Sequence, residues 1–413
     1  MEKTPKSMRL QLALFGRTNV GKSSVLNMIA GQDVAMTSPI PGTTTDVVEK
    51  SIELLPLGPV NILDTAGIND TSVLSEARIA RTMKILDRAD VIVLITEPNI
   101  WTEFEDQIIK EAHDRKIPLV IVINKTDIEE PTPEFIEKMK FNAKYIVTLS
   151  SVIPENRDTY ITDLKNAIIA SAPDDFMKPM PLLGDLIPSG GLVVLIIPID
   201  SEAPRGRIIL PQVQALRDIL DNDSVSVVTK ESEYSKSLQM LSRKPDLVIC
   251  DSQVVDKMMA QTPADVKTTT FSILFSRFKG DLVEEVRGAA AINSLKPGDK
   301  ILIAEACSHH PLKDDIGRIK MPGWLKKYIG FDIDIDVTQG RDFPANLTDY
   351  NLVIHCGSCM LTRNEKLVRI FKCKQAGVPI TNYGLAISVT HGVLERALSP
   401  FPDALEAFRT FHR

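Results

Sequence analysis

Cysteine is scarce: the chain has 5 in 413 residues, too few for a disulfide framework over that length. Long apolar runs are missing. The longest, Leu192 to Ile199, is interrupted by Pro198 and falls far short of the roughly 18 residues of a membrane span. Met1 to Arg9 carries charge but no apolar stretch, so no secretory signal is expected there. There is no basic excess. Lys and Arg number 48 against 54 Asp and Glu, a net charge of −6, which disfavours nucleic-acid binding by bulk electrostatics. Internal repeats and low-complexity tracts are absent as well. What is present is ordinary globular composition, 44% hydrophobic and 25% charged, enough to bury real cores. At about 150 residues per domain the length allows nearly three domains. A soluble cytoplasmic protein is the expectation.

Along the chain, short apolar runs alternate with helix-length stretches. Leu10 to Phe15, Val60 to Leu63, Val91 to Ile95, Leu119 to Ile123 and Tyr145 to Leu149 read as strands. Ser23 to Ala30, Leu74 to Arg88 and Glu103 to Arg115 read as helices between them. This is the pattern of βαβ units and a parallel sheet, the α/β class. Four prolines between Ala172 and Pro188 break it and read as a linker. A middle segment to about Phe278 has strand candidates at Leu192 to Ile199, Ser224 to Val228 and Asp246 to Ile249, and no chemical motif. From near Gly280 the alternation resumes, with strands expected at Lys300 to Ala304, Phe331 to Val337, Leu352 to Ile354 and Val378 to Thr381. A helix is expected over Asn364 to Ala376. The expected domains are 1–172, 173–278 and 279–413.

Gly16-Arg17-Thr18-Asn19-Val20-Gly21-Lys22-Ser23 fits the phosphate-binding pattern G-x-x-x-x-G-K-[ST]. The loop must wrap its backbone N–H groups around phosphates, so glycine is needed where no Cβ fits. Lys22 would pair with the β- and γ-phosphates, and the Ser23 hydroxyl would take Mg²⁺. The helix that starts there, with Ser24 in its first turn, turns its N-terminal dipole to the anion. A preceding strand and a following helix support the reading over a chance match.

Further segments complete a nucleotide site. Asp64-Thr65-Ala66-Gly67 follows a strand. Asp64 can hold Mg²⁺ through water, and the Gly67 N–H can meet the γ-phosphate. Asn124-Lys125-Thr126-Asp127 follows another strand. The Asp127 carboxylate can accept from N1–H and the 2-amino group of guanine, a donor pair that adenine lacks, so it selects GTP. On these motifs residues 8 to 170 resemble the Era, Der and MnmE-like GTPases. The resemblance implies that Thr44, within Pro41-Gly42-Thr43-Thr44-Thr45-Asp46, is the switch threonine on Mg²⁺. It implies that Ser150 and Ser151 stand near the base, and that Asn19 binds K⁺, acting like an arginine finger when two G domains meet. Thr45 departs from the arginine common in these relatives. Ile68 follows Gly67 and cannot orient a water as a glutamine does, so slow intrinsic turnover is expected.

Cys307-Ser308-His309-His310 follows one C-terminal strand candidate, and His355-Cys356-Gly357-Ser358-Cys359 another, about 45 residues on, at the sheet edge where α/β proteins gather ligands. Thiolates and imidazoles in that number suit a soft or borderline metal. The residues leave open a closed zinc site or an iron–sulfur cluster on Cys307, Cys356 and Cys359. Cys250 ends an apolar strand and Cys373 lies on an amphipathic helix, so both read as core thiols; His113, His391 and His412 read as surface or satisfied histidines. Taken together, the G domain, the middle α/β segment and the paired Cys/His motifs resemble the maturation GTPases of FeFe-hydrogenases along the whole chain. That resemblance implies a 4Fe–4S cluster on Cys307, Cys356 and Cys359 with an open or exchangeable fourth site. His309 and His355 match the family's histidines, and Glu305, water or a small molecule are other candidates for the fourth ligand. It implies a homodimer formed through the middle domain. It also implies a scaffold that receives a di-iron precursor from radical-SAM maturases and delivers it to the hydrogenase apoprotein. An Era-like switch in RNA or ribosome assembly with structural zinc is the rival reading.

Overall fold

The computed structural model describes residues 5–30, 48–64, 82–177, 180–199, 208–306, 315–340 and 343–411. Thr44, Gly67, Cys307, His309, His310 and His412 lie outside the described residues, as does the side chain of Asp64. Contacts divide the chain into Met1–Pro179 and Met180–Arg413.

In the first unit, strands β1 (Leu10–Phe15), β2 (Val48–Leu54), β3 (Gly58–Asp64), β4 (Val91–Thr96), β5 (Leu119–Ile123) and β6 (Tyr145–Thr148) form one sheet in the order β2-β3-β1-β4-β5-β6. Only β2, paired with β3, runs antiparallel. Every residue of β1, β4 and β5 is buried, as central parallel strands covered on both faces require. Alternate side chains serve opposite faces. Leu12, Leu14, Val93 and Val122 pack with Ile168 of the helix Arg157–Ser171. Ala13, Phe15, Leu94 and Ile121 pack with Ile109 of the helix Glu103–Asp114. That last helix starts on a capping box of Thr102 and Glu105, which satisfies two otherwise orphaned N–H groups.

The second unit holds two four-stranded parallel sheets. Strands β7 (Leu192–Ile196), β8 (Val225–Thr229), β9 (Leu247–Cys250) and β10 (Lys267–Thr270) lie in the order β10-β9-β7-β8. Strands β11 (Lys300–Ala304), β12 (Asp334–Thr338), β13 (Leu352–His355) and β14 (Ile380–Asn382) lie in the order β12-β11-β13-β14. A single apolar cluster spans both: Val194 and Ile249 from one sheet, Ile303 and Ile354 from the other, and Phe275, Val286 and Leu385 from helices. The helix Leu282–Ala290 approaches β14 closely because residue 288 is glycine; a Cβ there would stand 1.9 Å from the Ile380 carbonyl oxygen. At the other edge, β8 exposes Val225 and Val228.

The structure differs from the sequence expectation in three places. Strand β2 was not expected: its Val-Glu-Lys-Ser-Ile-Glu-Leu run mixes charge with apolar residues, as an edge strand does. Strand β10 is Lys-Thr-Thr-Thr, without an aliphatic residue, yet Thr268, Thr269 and Thr270 are fully buried. The proline-rich stretch read as a linker packs from Leu182 onward. Leu182 and Leu183 are buried, and the N–H groups of Leu182, Leu183 and Gly184 donate to the Asp218 carboxylate. No helix among the described residues is long and apolar enough to cross a membrane.

Candidate nucleotide site and thiol site

Phosphate-loop geometry follows from three positive φ angles: 157° at Gly16, 65° at Asn19 and 92° at Gly21. Gly21 has no room for a side chain, since a Cβ would lie 2.3 Å from Asn124 Nδ2. Lys22 is buried, its Nζ donating to the carbonyls of Gly16 at 2.7 Å and Arg17 at 2.9 Å. The ammonium therefore sits inside the loop's own curve. Ser23 and Ser24 are exposed in the first turn of the helix Lys22–Ala30, and Asn19 is exposed on the loop.

The base motif closes on this loop. Asn124, fully buried after β5, donates from Nδ2 to the Val20 carbonyl at 2.8 Å and accepts the Ser151 N–H at 3.0 Å. Asp127 is exposed, and the buried Ser150 hydroxyl holds its Oδ1 at 2.6 Å. Gly16, Val20, Gly21, Lys22, Asn124, Lys125, Asp127, Ser150 and Ser151 thus converge past the carboxyl ends of β1, β5 and β6, the edge where open α/β sheets bind ligands. The motifs gave no sign of Glu97 and Glu105, which anchor Lys125 and Arg17. Both read as surface charges before Glu105 is seen to be fully buried.

The second candidate lies past β11 and β13, which run side by side with Ala304 opposite His355. Cys356 and Cys359 are partly buried and outside any disulfide. The Ala306 N–H donates to Cys356 Sγ at 3.1 Å, and Cys307, the next residue, lies outside the described residues. Among the described residues no three His, Cys, Asp or Glu groups form a metal site. Two thiols on one turn, one already receiving a backbone N–H, fit a thiolate-bound metal or cluster in donor chemistry.

His355 is fully enclosed. Its Nε2 accepts from Arg369 Nη1 at 2.9 Å, because a guanidinium can only donate, and the Ser358 hydroxyl lies 2.7 Å from Nδ1. Burial first, then the Arg369 and Lys366 charges, push its pKa well below the usual value, so it is neutral. Glu305 is also buried, accepting from Tyr383 at 3.3 Å and Gln339 at 3.2 Å. Beneath the turn, Lys279 Nζ donates to the carbonyls of Cys359 at 3.1 Å and Leu361 at 2.9 Å. Lys366 pairs with Glu285 at 2.7 Å. Burial pushes the thiols of Cys250 and Cys373 up, Cys373 to about 12, as the core assignment of both expects.

Residues 182–280 match the family described as hydrogen maturase F dimerization domain, and residues 283–400 match its tetramerization domain. The chain belongs to the hydrogen maturase F family. Residues 11–125 match the family described as 50S ribosome-binding GTPase. A GTPase-type domain thus precedes the dimerization and tetramerization domains along the chain. Among curated proteins, the chain is similar to the tRNA modification GTPase MnmE of Nitrosospira multiformis, 39% identical over 123 residues, which is 30% of this chain and 27% of that protein. MnmE of Nitrosomonas europaea is 34% identical over 142 residues, 34% and 31% of the two chains. The match thus spans under a third of the length of these relatives. Among solved structures, the G domain of the T. maritima FeoB iron transporter shares 21% identity, with a TM-score of 0.31, covering 40% of this chain and 98% of that one. An Era variant of Aquifex aeolicus bound to GDP and AlF4⁻ shares 20% identity, with a TM-score of 0.32, covering 56% and 98%.

Proposed function

We propose that this protein is a GTP-hydrolysing scaffold of FeFe-hydrogenase maturation that holds a 4Fe–4S cluster on Cys307, Cys356 and Cys359, with an open or exchangeable fourth position. It would receive a di-iron precursor from radical-SAM maturases and deliver it to the hydrogenase apoprotein. One observation supports the cluster most directly: the Ala306 N–H is aimed at Cys356 Sγ, and the chain then steps to Cys307. When bound, the cluster supplies an iron with a ligand that can leave. The protein's part is to fix the turn. Lys279 grips the Cys359 and Leu361 carbonyls, while Ser358 and Arg369 occupy both nitrogens of His355. His355 is therefore assigned here to bracing the turn.

In the G domain, Lys22 would neutralise phosphate charge as bond breaking proceeds, Ser23 and Thr44 would hold Mg²⁺, and the Gly67 N–H would meet the γ-phosphate. Asp127 would read guanine, with Ser150 fixing its orientation. Ile68 leaves the attacking water unoriented, so turnover should be slow and K⁺ near Asn19 should raise it. Self-association through the middle domain has an available edge in β8. Anaerobic reconstitution with iron and sulfide tests the cluster. The reduced protein should give a cluster EPR signal; zinc at one per chain without that signal would refute the reading. Equal GTPase rates in KCl and NaCl would remove the K⁺ assignment.

A further inference from the structure

Two acidic residues near the start of the segment after β4 hold both halves of the nucleotide site. Glu97 Oε1 pairs with Lys125 Nζ at 2.5 Å, and its Oε2 lies 3.6 Å from Arg17 Nη2. Glu105 pairs with Arg17 Nε at 2.7 Å, while its other oxygen accepts the Thr102 N–H at 2.9 Å. Lys125 belongs to the base motif and sits at φ 67°, a backbone state that a non-glycine residue holds only when its surroundings enforce it. Arg17 lies in the phosphate loop, and its carbonyl is one of the two that hold Lys22. Glu97 is the one acid among these that reaches both loops. It is about one-fifth exposed, so solvent screens it less than a surface pair.

We propose that Glu97 is a positioning residue for nucleotide binding, tying Lys125 of the base loop to Arg17 of the phosphate loop so that both grip one nucleotide. The inference rests on reading residues 124–127 as the base site. Glu97 does not reach the reacting phosphate and acts through Lys125 and Arg17. Its loss loosens binding without changing the groups at the γ-phosphate. Affinity for GDP and GTP falls together, because the clamp is common to both.

Steady-state hydrolysis and GDP release from the full-length protein test this. Glu97→Gln should raise KM and speed GDP release about tenfold, as coupled contacting residues commonly do, with kcat within a factor of about two. Glu97→Asp, which keeps the charge, should recover part of the loss. Glu97→Gln added to Lys125→Met should cost little beyond Lys125→Met alone, since the pair is already broken. An unchanged KM in Glu97→Gln, or fully additive losses in the double variant, would overturn the proposal. Should Glu97→Gln fail to fold, Glu97→Asp alone decides: a smaller rise in KM with faster GDP release supports the clamp, and wild-type KM refutes it. Asp127→Asn separates the two readings. If it leaves GDP affinity intact, the base assignment fails; if it weakens binding while Glu97→Gln does not, only the clamp fails.

Discussion

Replacing Lys366 by Met should be among the most damaging single changes in the second unit. Lys366 and Glu285 are 2% and 1% exposed and meet at 2.7 Å. Glu285 Oε2 accepts from Ser276 and from Asn382, each at 2.5 Å, whereas Oε1 has no hydrogen bond and faces the ammonium alone. Removing the lysine strands a buried carboxylate oxygen, and breaking such a pair costs about 3–5 kcal/mol. Gly280 leaves no slack for rearrangement, since a Cβ there would already lie 2.7 Å from Oε1 and 2.9 Å from Lys366 Cε. Urea unfolding followed by fluorescence can isolate the effect. The chain has two tryptophans, and a Trp101→Phe background leaves Trp324 to report on the second unit. Lys366→Met should lose about 3–5 kcal/mol there, and Lys366→Met with Glu285→Gln should regain most of it, because no charge is then stranded. A loss under about 1 kcal/mol, or a double variant worse than the single, would refute the reasoning.

Gly21→Ala should abolish measurable GTP binding, by collision with Asn124 and by strain at φ 92°; equilibrium binding with labelled GDP checks it. Burial holds Lys279 at about 8 against its usual 10.5, so the native state releases this proton first and stability should rise by up to about 3 kcal/mol as pH climbs from about 8 to 10.5. Lys279→Met should flatten that rise in cluster-free protein, and identical pH profiles would contradict it. Cys356→Ala should lose iron on reconstitution while Cys373→Ala, whose thiol is buried in the apolar core, keeps it; iron and sulfide counts decide. Val228→Asp on the exposed edge of β8 should weaken self-association, read as a fall in mass by light scattering.

The strands that were legible in the sequence are those buried on both faces. β1, β4, β5, β7 and β13 are near-continuous aliphatic runs, and their ends place the phosphate, base and thiol motifs. The two strands that escaped notice derive their order from neighbours. β2 is pinned to β3, and β10 is buried beside β9, with the Thr268 hydroxyl donating to the Arg396 carbonyl 128 residues away. The fold-level partners of the site escaped for the same reason. Glu97, Glu105, Lys279 and Arg369 look like any solvated charge until tertiary contacts enclose them. His355 was legible as part of a ligand-like motif, but the occupation of both its nitrogens depends on Arg369 in the next helix.

The apolar cluster running from β7 through Phe275 to Leu385 and Phe408 also constrains how the protein can be dissected. A fragment begun after Lys279 would carry the cysteine turn but bare the faces that Phe271, Leu274 and Phe275 now cover, and would forfeit the lysine that clasps that turn. The sheet of β7–β10 and the sheet that carries the cysteine turn thus share one core, and cutting between them would leave apolar faces bare on both sides.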